Sequence, residues 1–234
     1  MISLQRVSLP SKALADLPKY DEHIQVQKLI IDLKYGDIRT RRQAAISIGR
    51  YGKEASHAID GLIEALRDED ELVQTKSIDA LLEIIQEHGD KNGKAIEAFV
   101  KILNDRNSLG FDLVLEIFAD DYLEEEEAVS AIPVLIHLLK DNDSKVRYSA
   151  AKALGDIGEK AAASIPALIQ ALDDEDYDVR DAVRYLGLVK IAEKSNVAIA
   201  FLKQAYNCED INLHRTIREM LLYIEDIKRS YSVF

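Results

Sequence analysis

One apolar pattern occurs twice in the chain at a displacement of 33 residues, and this repetition constrains the fold more than any other feature. The copies begin at residues 132 and 165, and each reads Ile-Pro-x-Leu-Ile-x-x-Leu, followed by Asp and then by Val-Arg. A fixed register of this kind is typical of a repeat array, in which one structural unit stacks on the next. The sequence therefore predicts a repeat protein.

The first part of this pattern recurs six times. Apolar residues fall at positions i, i+3, i+4 and i+7, which places them on one face of an α-helix. A short turn follows each copy, and then a second helix whose apolar residues are about four positions apart. In the second helix of the fifth repeat (Val179, Val183, Leu186) this spacing is one residue short. The six first helices start near Val26, Ile59, Ile96, Ile132, Ile165 and Ile199.

These patterns predict an all-α fold, an α-solenoid of six antiparallel helix pairs. The sequence has only 10 Gly and 4 Pro, too few for the many turns of a β protein. We expect a single repeat domain over residues 22–228. Residues 1–21 show no helical period and are predicted to form an irregular lead-in, and residues 229–234 a short tail.

Polar residues indicate where the helices begin. An aspartate in the turn can accept hydrogen bonds from the unpaired N–H groups of the second helix. Five are predicted to do so: Asp37, Asp70, Asp143, Asp176 and Asp210. Three serines are predicted to cap first helices in the same way: Ser130, Ser164 and Ser195.

The third repeat departs from the pattern. Asn107-Ser108-Leu109-Gly110 replaces the usual turn and its Val-Arg pair, and residues 120–127 form a longer connection. Binding loops tend to be inserted where a repeat departs from its consensus. Sequence drift is the alternative explanation.

The string Ile-Pro-x-Leu-Ile-x-x-Leu, Asp, Val-Arg-x-x-Ala-Ala-x-Ala-Leu-Gly-x-Ile-Gly at residues 132–158 resembles a HEAT repeat. More narrowly, it is similar to the short HEAT-like repeats of the phycobilin (PBS) lyase type, over residues 22–228. The resemblance implies paired antiparallel helices and a ladder of Asp–Arg contacts between neighbouring repeats. Within one helix, Asp143 and Arg147 are also spaced for an i,i+4 pair. A lyase activity is not implied, because such repeats recur in many binding proteins.

Composition excludes several classes of function. The net charge is −12, and residues 51–130 carry 7 basic against 21 acidic side chains, so nucleic acid would be repelled there. There is one cysteine, no histidine is followed by glutamate, and no two histidines are three or four residues apart. We therefore expect no metal, no cofactor and no enzymatic activity. No signal peptide or membrane span is evident, which predicts a cytoplasmic protein.

The resemblance implies that the second helices line the concave side of the array. Carboxylates from repeats two and three are predicted to converge there, with no Lys or Arg of the same rows to neutralise them. Tyr148, Tyr185 and Tyr223 are candidate anchors. The predicted partner-binding residues are Asp79, Glu83, Asp112, Glu116, Asp120, Tyr148, Lys152, Asp181, Arg184, Tyr185, Arg215 and Glu219.

This surface predicts a scaffold or adaptor that binds another protein with a basic surface or segment. Two other functions fit the same architecture. One is an enzyme subunit of the bilin-lyase type, which a shift in the absorption spectrum of a bilin on mixing would reveal. The other is an inhibitor or immunity-type protein that masks a basic active site.

Overall fold

The computed structural model describes residues 17–88, 93–120, 122–207 and 211–231, and all regular secondary structure in these residues is helical. The all-α solenoid prediction is confirmed, with six helix pairs. Contacts divide the protein into two compact units, Met1–Gly89 and Asp90–Phe234. Each unit is described by itself, and a single repeat domain over residues 22–228 stays a prediction.

Unit 1 contains the first two helix pairs. Helix α1 (Leu17–Tyr35) packs against α2 (Ile38–Arg50). In the second pair, the first helix consists of a 3-10 helix (Gly52–Ala58) and α3 (Ile59–Ala65), and it packs against α4 (Glu71–His88). The second helices of the two pairs, α2 and α4, also pack side by side.

Unit 2 contains the other four pairs. The third pair consists of α5 (Lys94–Leu103) and α6 (Phe111–Ala119). In the fourth pair, the first helix comprises α7 (Glu125–Ala128), a 3-10 turn (Val129–Ala131) and α8 (Ile132–Leu138), and the second helix is α9 (Ser144–Asp156). The first helix of the fifth pair comprises a 3-10 helix (Gly158–Ser164), α10 (Ile165–Gln170) and a 3-10 turn (Ala171–Asp173). Its partner is one continuous helical run: α11 (Tyr177–Asp181), a π-helix (Ala182–Val189) and α12 (Lys190–Lys194). The last pair is α13 (Asn196–Tyr206) and α14 (Ile211–Tyr231).

The predicted ends of the array need correction. Helix α1 begins at Leu17, so residues 17–21 are helical rather than irregular. Pro18 is compatible with this start because the first turn of a helix needs no N–H donor from it. Residues 1–16 lie outside the described part of the protein. At the other end α14 continues to Tyr231, past the predicted boundary at 228.

The aspartate caps are confirmed where they are described. The carboxylate of Asp37 accepts from the N–H of Thr40 at 2.8 Å, and that of Asp176 from the N–H of Asp178 at 2.8 Å. Asp70 and Asp143 cap their helices in the same way. Asp210 lies outside the described residues.

Two of the three serine caps are wrong. Ser195 accepts from the N–H of Ala198 at 3.3 Å, as predicted. Ser130 lies inside the 3-10 turn that precedes α8, and Ser164 donates to the carbonyl of Ala161 at 2.7 Å. Because the chain is already helical before each Ile-Pro, the N–H groups there do not require a serine.

The core lies between the helices of each pair. Leu62, Leu135, Leu168 and Leu202, each from a first-helix stripe, are fully buried. Burying one leucine contributes about 1.5–3 kcal/mol relative to leaving it exposed. The sixth stripe is the weakest, because Lys203 takes an apolar position and is exposed.

The π-helix explains the irregular spacing of the fifth second helix. Val183 is displaced by 33 residues from Ala150, whereas the buried residues Leu188 and Ile191 are displaced by 34 from Leu154 and Ile157. The helix therefore has one residue more than its neighbour, not one fewer. A π-turn accommodates such an insertion without breaking the helix.

Candidate protein-binding surface

The first charged feature is a ladder of arginines that connects neighbouring repeats at the turns. The guanidinium of Arg147 is bidentate to Asp174 of the next repeat, at 2.7 and 2.8 Å. A third N–H donates to the backbone carbonyls of Asp141 and Asn142. In unit 1, Arg41 binds Asp68 at 2.7 and 2.9 Å. This is the inter-repeat ladder that the resemblance implied.

The ladder aspartate is not the capping aspartate. Asp174 precedes the cap Asp176 by two residues, and its carboxylate also accepts the N–H of Asp176 at 2.9 Å. Burial raises the pKa of the Asp174 carboxyl, but the hydrogen bonds from Arg147 and Asp176 more than offset this and hold the pKa below its usual range. The predicted pairing of Arg147 with Asp143 is therefore wrong, because the guanidinium is directed toward Asp174.

Arg106 connects the third repeat to the fourth in the same way, although the Val-Arg pair is missing from the third repeat. Its guanidinium lies 3.2 Å from the carboxylate oxygens of both Asp141 and Asp143, and its carbon is 4.4 Å from the ring centroid of Phe111. Arg106 was not among the predicted functional residues. The signal available was an arginine in the one turn that departs from the pattern.

The candidate residues of unit 1 are Asp79 and Glu83, both on α4. Asp79 forms an ion pair with Lys76 at 2.8 Å, one turn earlier on the same helix. Glu83 is exposed, and a Cβ at Gly49 would come within 2.4 Å of its carboxylate. Of these two candidates, only Glu83 keeps a carboxylate without an ion pair among the described residues.

In unit 2, some acidic candidate residues of repeat three already form ion pairs within the protein and are not free to bind a partner. Asp120 forms an ion pair with Lys152 of the next second helix, and Asp112 lies 3.6 Å from Arg106. Burial lowers the pKa of the Lys152 ammonium, but the hydrogen bond and charge of Asp120 outweigh this, so the pKa is raised overall. The prediction that no basic residue of these rows neutralises the carboxylates is therefore wrong for Asp120. Glu116 is exposed and makes no ion pair with the residues that the structure describes.

The second helices of repeats four and five enclose an acidic cleft with an aromatic wall, of about 620 Å³. Tyr148, which is 37% exposed, lines it together with Asp176, Asp178 and Asp181. The N–H of Val179 donates to Asp176 and lowers the pKa of its carboxyl, so this group stays charged at neutral pH. We call this the Tyr148 cleft. Its other lining residues are Ser144, Lys145, Ser149 and Val179.

Two more candidate residues meet toward the C-terminal end of unit 2. Tyr185 in the π-helix packs edge to face against Tyr223 of α14, with ring centroids 6.2 Å apart and planes at 85°. Arg184 lies over the Tyr185 ring, its guanidinium carbon 5.8 Å from the centroid. Arg215 and Glu219 are exposed on α14.

The long connection of repeat three lines a second cleft, of about 440 Å³. Tyr122, Leu123 and Glu124 form one side, and the ion pair between Asp156 and Lys190 lies on the other. This pair repeats the geometry of Asp120 and Lys152, since both join adjacent second helices. The cleft thus contains opposite charges that already satisfy one another.

The histidines show one arrangement that the sequence did not reveal. His23 of α1 and His57 of the first 3-10 helix stack with ring centroids 4.4 Å apart. Burial and the neighbouring His23 lower the pKa of His57. Across the described part of the protein, no group of three His, Cys, Asp or Glu side chains is placed to hold a metal ion.

Comparison with known proteins agrees with this architecture. A family model described as HEAT repeats matches residues 121–187. No curated protein matches the sequence. Within the described residues, no helix is long and apolar enough to cross a membrane.

Solved structures with similar folds cover most of the protein. The MAST/Orbit N-terminal domain is 16% identical, with a TM-score of 0.57 over 86% of this chain and 96% of that one. A designed armadillo repeat protein in complex with the peptide (KR)4 is 19% identical, with a TM-score of 0.55 over 84% and 98%. An engineered protein gives 22% identity and a TM-score of 0.52 over 86% and 97%. At these identities the likeness concerns the fold alone.

The helix pairs, the inter-repeat ladder and the family match together define the class. Residues 121–187 match HEAT repeats, and the chain has an α-solenoid fold of the armadillo type. The narrower resemblance to repeats of the phycobilin lyase type stays a prediction. Stacked repeats of this fold present an extended surface.

Proposed function

We propose that the protein is a scaffold that binds a basic segment of another protein on the exposed faces of its second helices. The observation that carries the proposal is the Tyr148 cleft. An aromatic wall beside several carboxylates suits the side chain of lysine or arginine, whose stem packs on the ring while its charge meets the acids.

Charge supports the same choice of partner. The protein has a net charge of −12, so a basic segment is attracted from a distance and an acidic one is repelled. The designed armadillo repeat protein described above has a related fold and was solved with the peptide (KR)4. Glu116, an exposed candidate residue on α6 of unit 2, adds a further carboxylate outside the cleft.

The test uses a BODIPY-labelled, C-terminally amidated (KR)4 peptide, which carries no carboxylate, and measures its fluorescence anisotropy with the intact protein. The double substitution Asp178→Asn and Asp181→Asn removes two charges from the cleft without changing side-chain shape. Each partly exposed ion pair contributes about 0.5–1 kcal/mol, so affinity should fall by about tenfold. Binding by the unsubstituted protein should weaken as salt is raised, because exposed charges are screened.

The matched control replaces Glu159 by Gln and Asp173 by Asn. Both are exposed acidic residues in the first-helix segments of repeat five, so the net charge of the two double variants is the same. This control should bind the peptide within about twofold of the original protein. Equal losses in the two double variants, or salt-independent binding, would show that the peptide responds only to net charge or binds elsewhere.

A further inference from the structure

The half-buried guanidinium of Arg184 in unit 2 lacks the partners that Arg147 and Arg180 have. The Nε of Arg184 is buried and has no hydrogen-bond acceptor, and Arg184 makes no ion pair with any residue the structure describes. Arg147 and Arg180, by contrast, both donate to acceptors in the neighbouring turn. A buried donor without an acceptor is costly, so a native structure retains one only for a reason.

Arg184 lies within the π-helix, one residue after Val183. Counted from the start of the repeat, Arg184 corresponds to Ala151, which is fully buried between helices. A large polar residue thus occupies a position where the preceding repeat has a small apolar one. π-turns are found frequently at functional sites.

The surroundings of Arg184 are aromatic and open to a ligand. Its guanidinium lies over Tyr185, which contacts Tyr223 edge to face. The two tyrosines are 45% and 50% exposed. Stacking on a ring reduces the hydration of a guanidinium while leaving its N–H groups available at the edge. A planar anion could therefore bind the edge and contact the rings.

We propose that Arg184, Tyr185 and Tyr223 form a binding site for a carboxylate group of a partner polypeptide. The guanidinium fork matches the two oxygens of a carboxylate. A single negative charge is also favoured over a phosphate dianion on a protein whose net charge is −12. The inference rests on the proposed function in one respect: the ligand is part of a polypeptide. The carboxylate comes from an Asp or Glu side chain or from the C-terminus of the partner.

The test observes the Arg184 side chain directly. Arginine Nε–Hε resonances of ¹⁵N-labelled full-length protein are recorded, and the Arg184 signal is assigned as the one lost in Arg184→Lys. N-acetyl-glutamate amide supplies a side-chain carboxylate, and N-acetyl-alanine supplies a C-terminal carboxylate. One or both should move the Arg184 signal saturably, with an apparent Kd on the order of 1–10 mM. A response to only one of them identifies the source of the carboxylate.

Controls separate a site from a general anion effect. Sodium chloride at equal ionic strength and N-acetyl-alanine amide should not move the Arg184 signal, and the signal of Arg147 should stay fixed in every titration. Tyr223→Ala should weaken the carboxylate response at least about threefold, since the edge-to-face contact that orients the Tyr185 ring is lost. Arg215→Lys, a change at an exposed arginine of α14, should leave it unaltered.

Three outcomes would overturn the inference. They are a shift no larger than that caused by chloride, an undiminished response in Tyr223→Ala, and the absence of an exchange-protected Arg184 signal, which would contradict the buried Nε. Arg184→Lys should bind the amidated (KR)4 peptide as the original protein does. Because that peptide has no carboxylate, failure at Arg184 and failure of the basic-segment proposal are observed separately.

Discussion

Replacing Arg147 by Ala should destabilise the protein strongly, because this side chain joins two repeats at a buried position. The Arg147 and Asp174 side chains are only 8% and 9% exposed, and the two are joined by a bidentate contact. The substitution leaves the Asp174 carboxylate buried with one remaining hydrogen bond, from the N–H of Asp176. It also removes the donor to the carbonyls of Asp141 and Asn142.

The magnitude follows from the burial. Removing one partner of a buried ion pair typically costs about 3–5 kcal/mol, because the other charge is left uncompensated. An exposed pair contributes only about 0–1 kcal/mol. We therefore expect the free energy of unfolding to fall by about 3–5 kcal/mol for Arg147→Ala at pH 7. Since the pKa of Asp174 is lowered in the folded state, this difference should shrink as pH falls below about 3.9.

Urea unfolding followed by far-ultraviolet circular dichroism measures the effect. Arg218→Ala serves as the control, since Arg218 is exposed on α14 and should change stability by no more than about 0.5 kcal/mol. Adding Asp174→Ala to Arg147→Ala should cost less than the sum of the single changes, because both remove the same contact. A loss for Arg147→Ala within about 1 kcal/mol of the control would refute the view that the ladder holds the repeats together.

Four further substitutions test other parts of the fold. Gly155→Ala should lower the free energy of unfolding in urea by about 3 kcal/mol, because a Cβ would lie 1.5 Å from the carbonyl oxygen of Leu186. Gly61→Ala should instead stabilise the protein by about 0.5–1 kcal/mol, because its Cβ would meet only an ordinary contact at 3.5 Å. Leu135→Ala should cost about 2–5 kcal/mol, and a cost near zero would mean that its stripe does not form the core. His57 has a lowered pKa in the folded state, so the unfolded protein binds more protons and the melting temperature should fall as pH drops below about 6.5, the ordinary pKa of histidine. His57→Gln should remove most of that decrease, and an unchanged decrease would assign it to other groups.

The helix pairs could be predicted from the sequence because their signal is local. Apolar residues such as Leu62 and Leu168 repeat with the period of one helix, and that period alone determines which face is buried. The capping role of Asp37 and Asp176 is equally local, since the acceptor and donor lie two or three residues apart. The prediction that Ser164 caps a helix was wrong because a capping role depends on whether the preceding residues are already helical.

The contacts between repeats could not be predicted in this way. Spacing alone pairs Arg147 with Asp143, and only the packing of one turn against the next shows that Asp174 is closer. The same holds for Asp120 and Lys152, which are 32 residues apart and meet across adjacent second helices. The π-helix did leave a signal in the sequence, namely the change in displacement from 33 to 34 after Val183. Detecting it requires knowing which later residues are buried.

These inter-repeat contacts determine which residues can report on binding. Asp120 pairs with Lys152, and Asp156 pairs with Lys190 in the equivalent place one repeat later, so both carboxylates connect second helices to each other. Reversing the charge of Asp120 would set two cations against each other and loosen the packing, and a loss of partner binding would then be ambiguous. Asp178 and Asp181 have no such ion pair among the described residues, yet they line the Tyr148 cleft. A change in affinity at these two positions, with urea unfolding unaltered, therefore reports on the partner and not on the stability of the repeats.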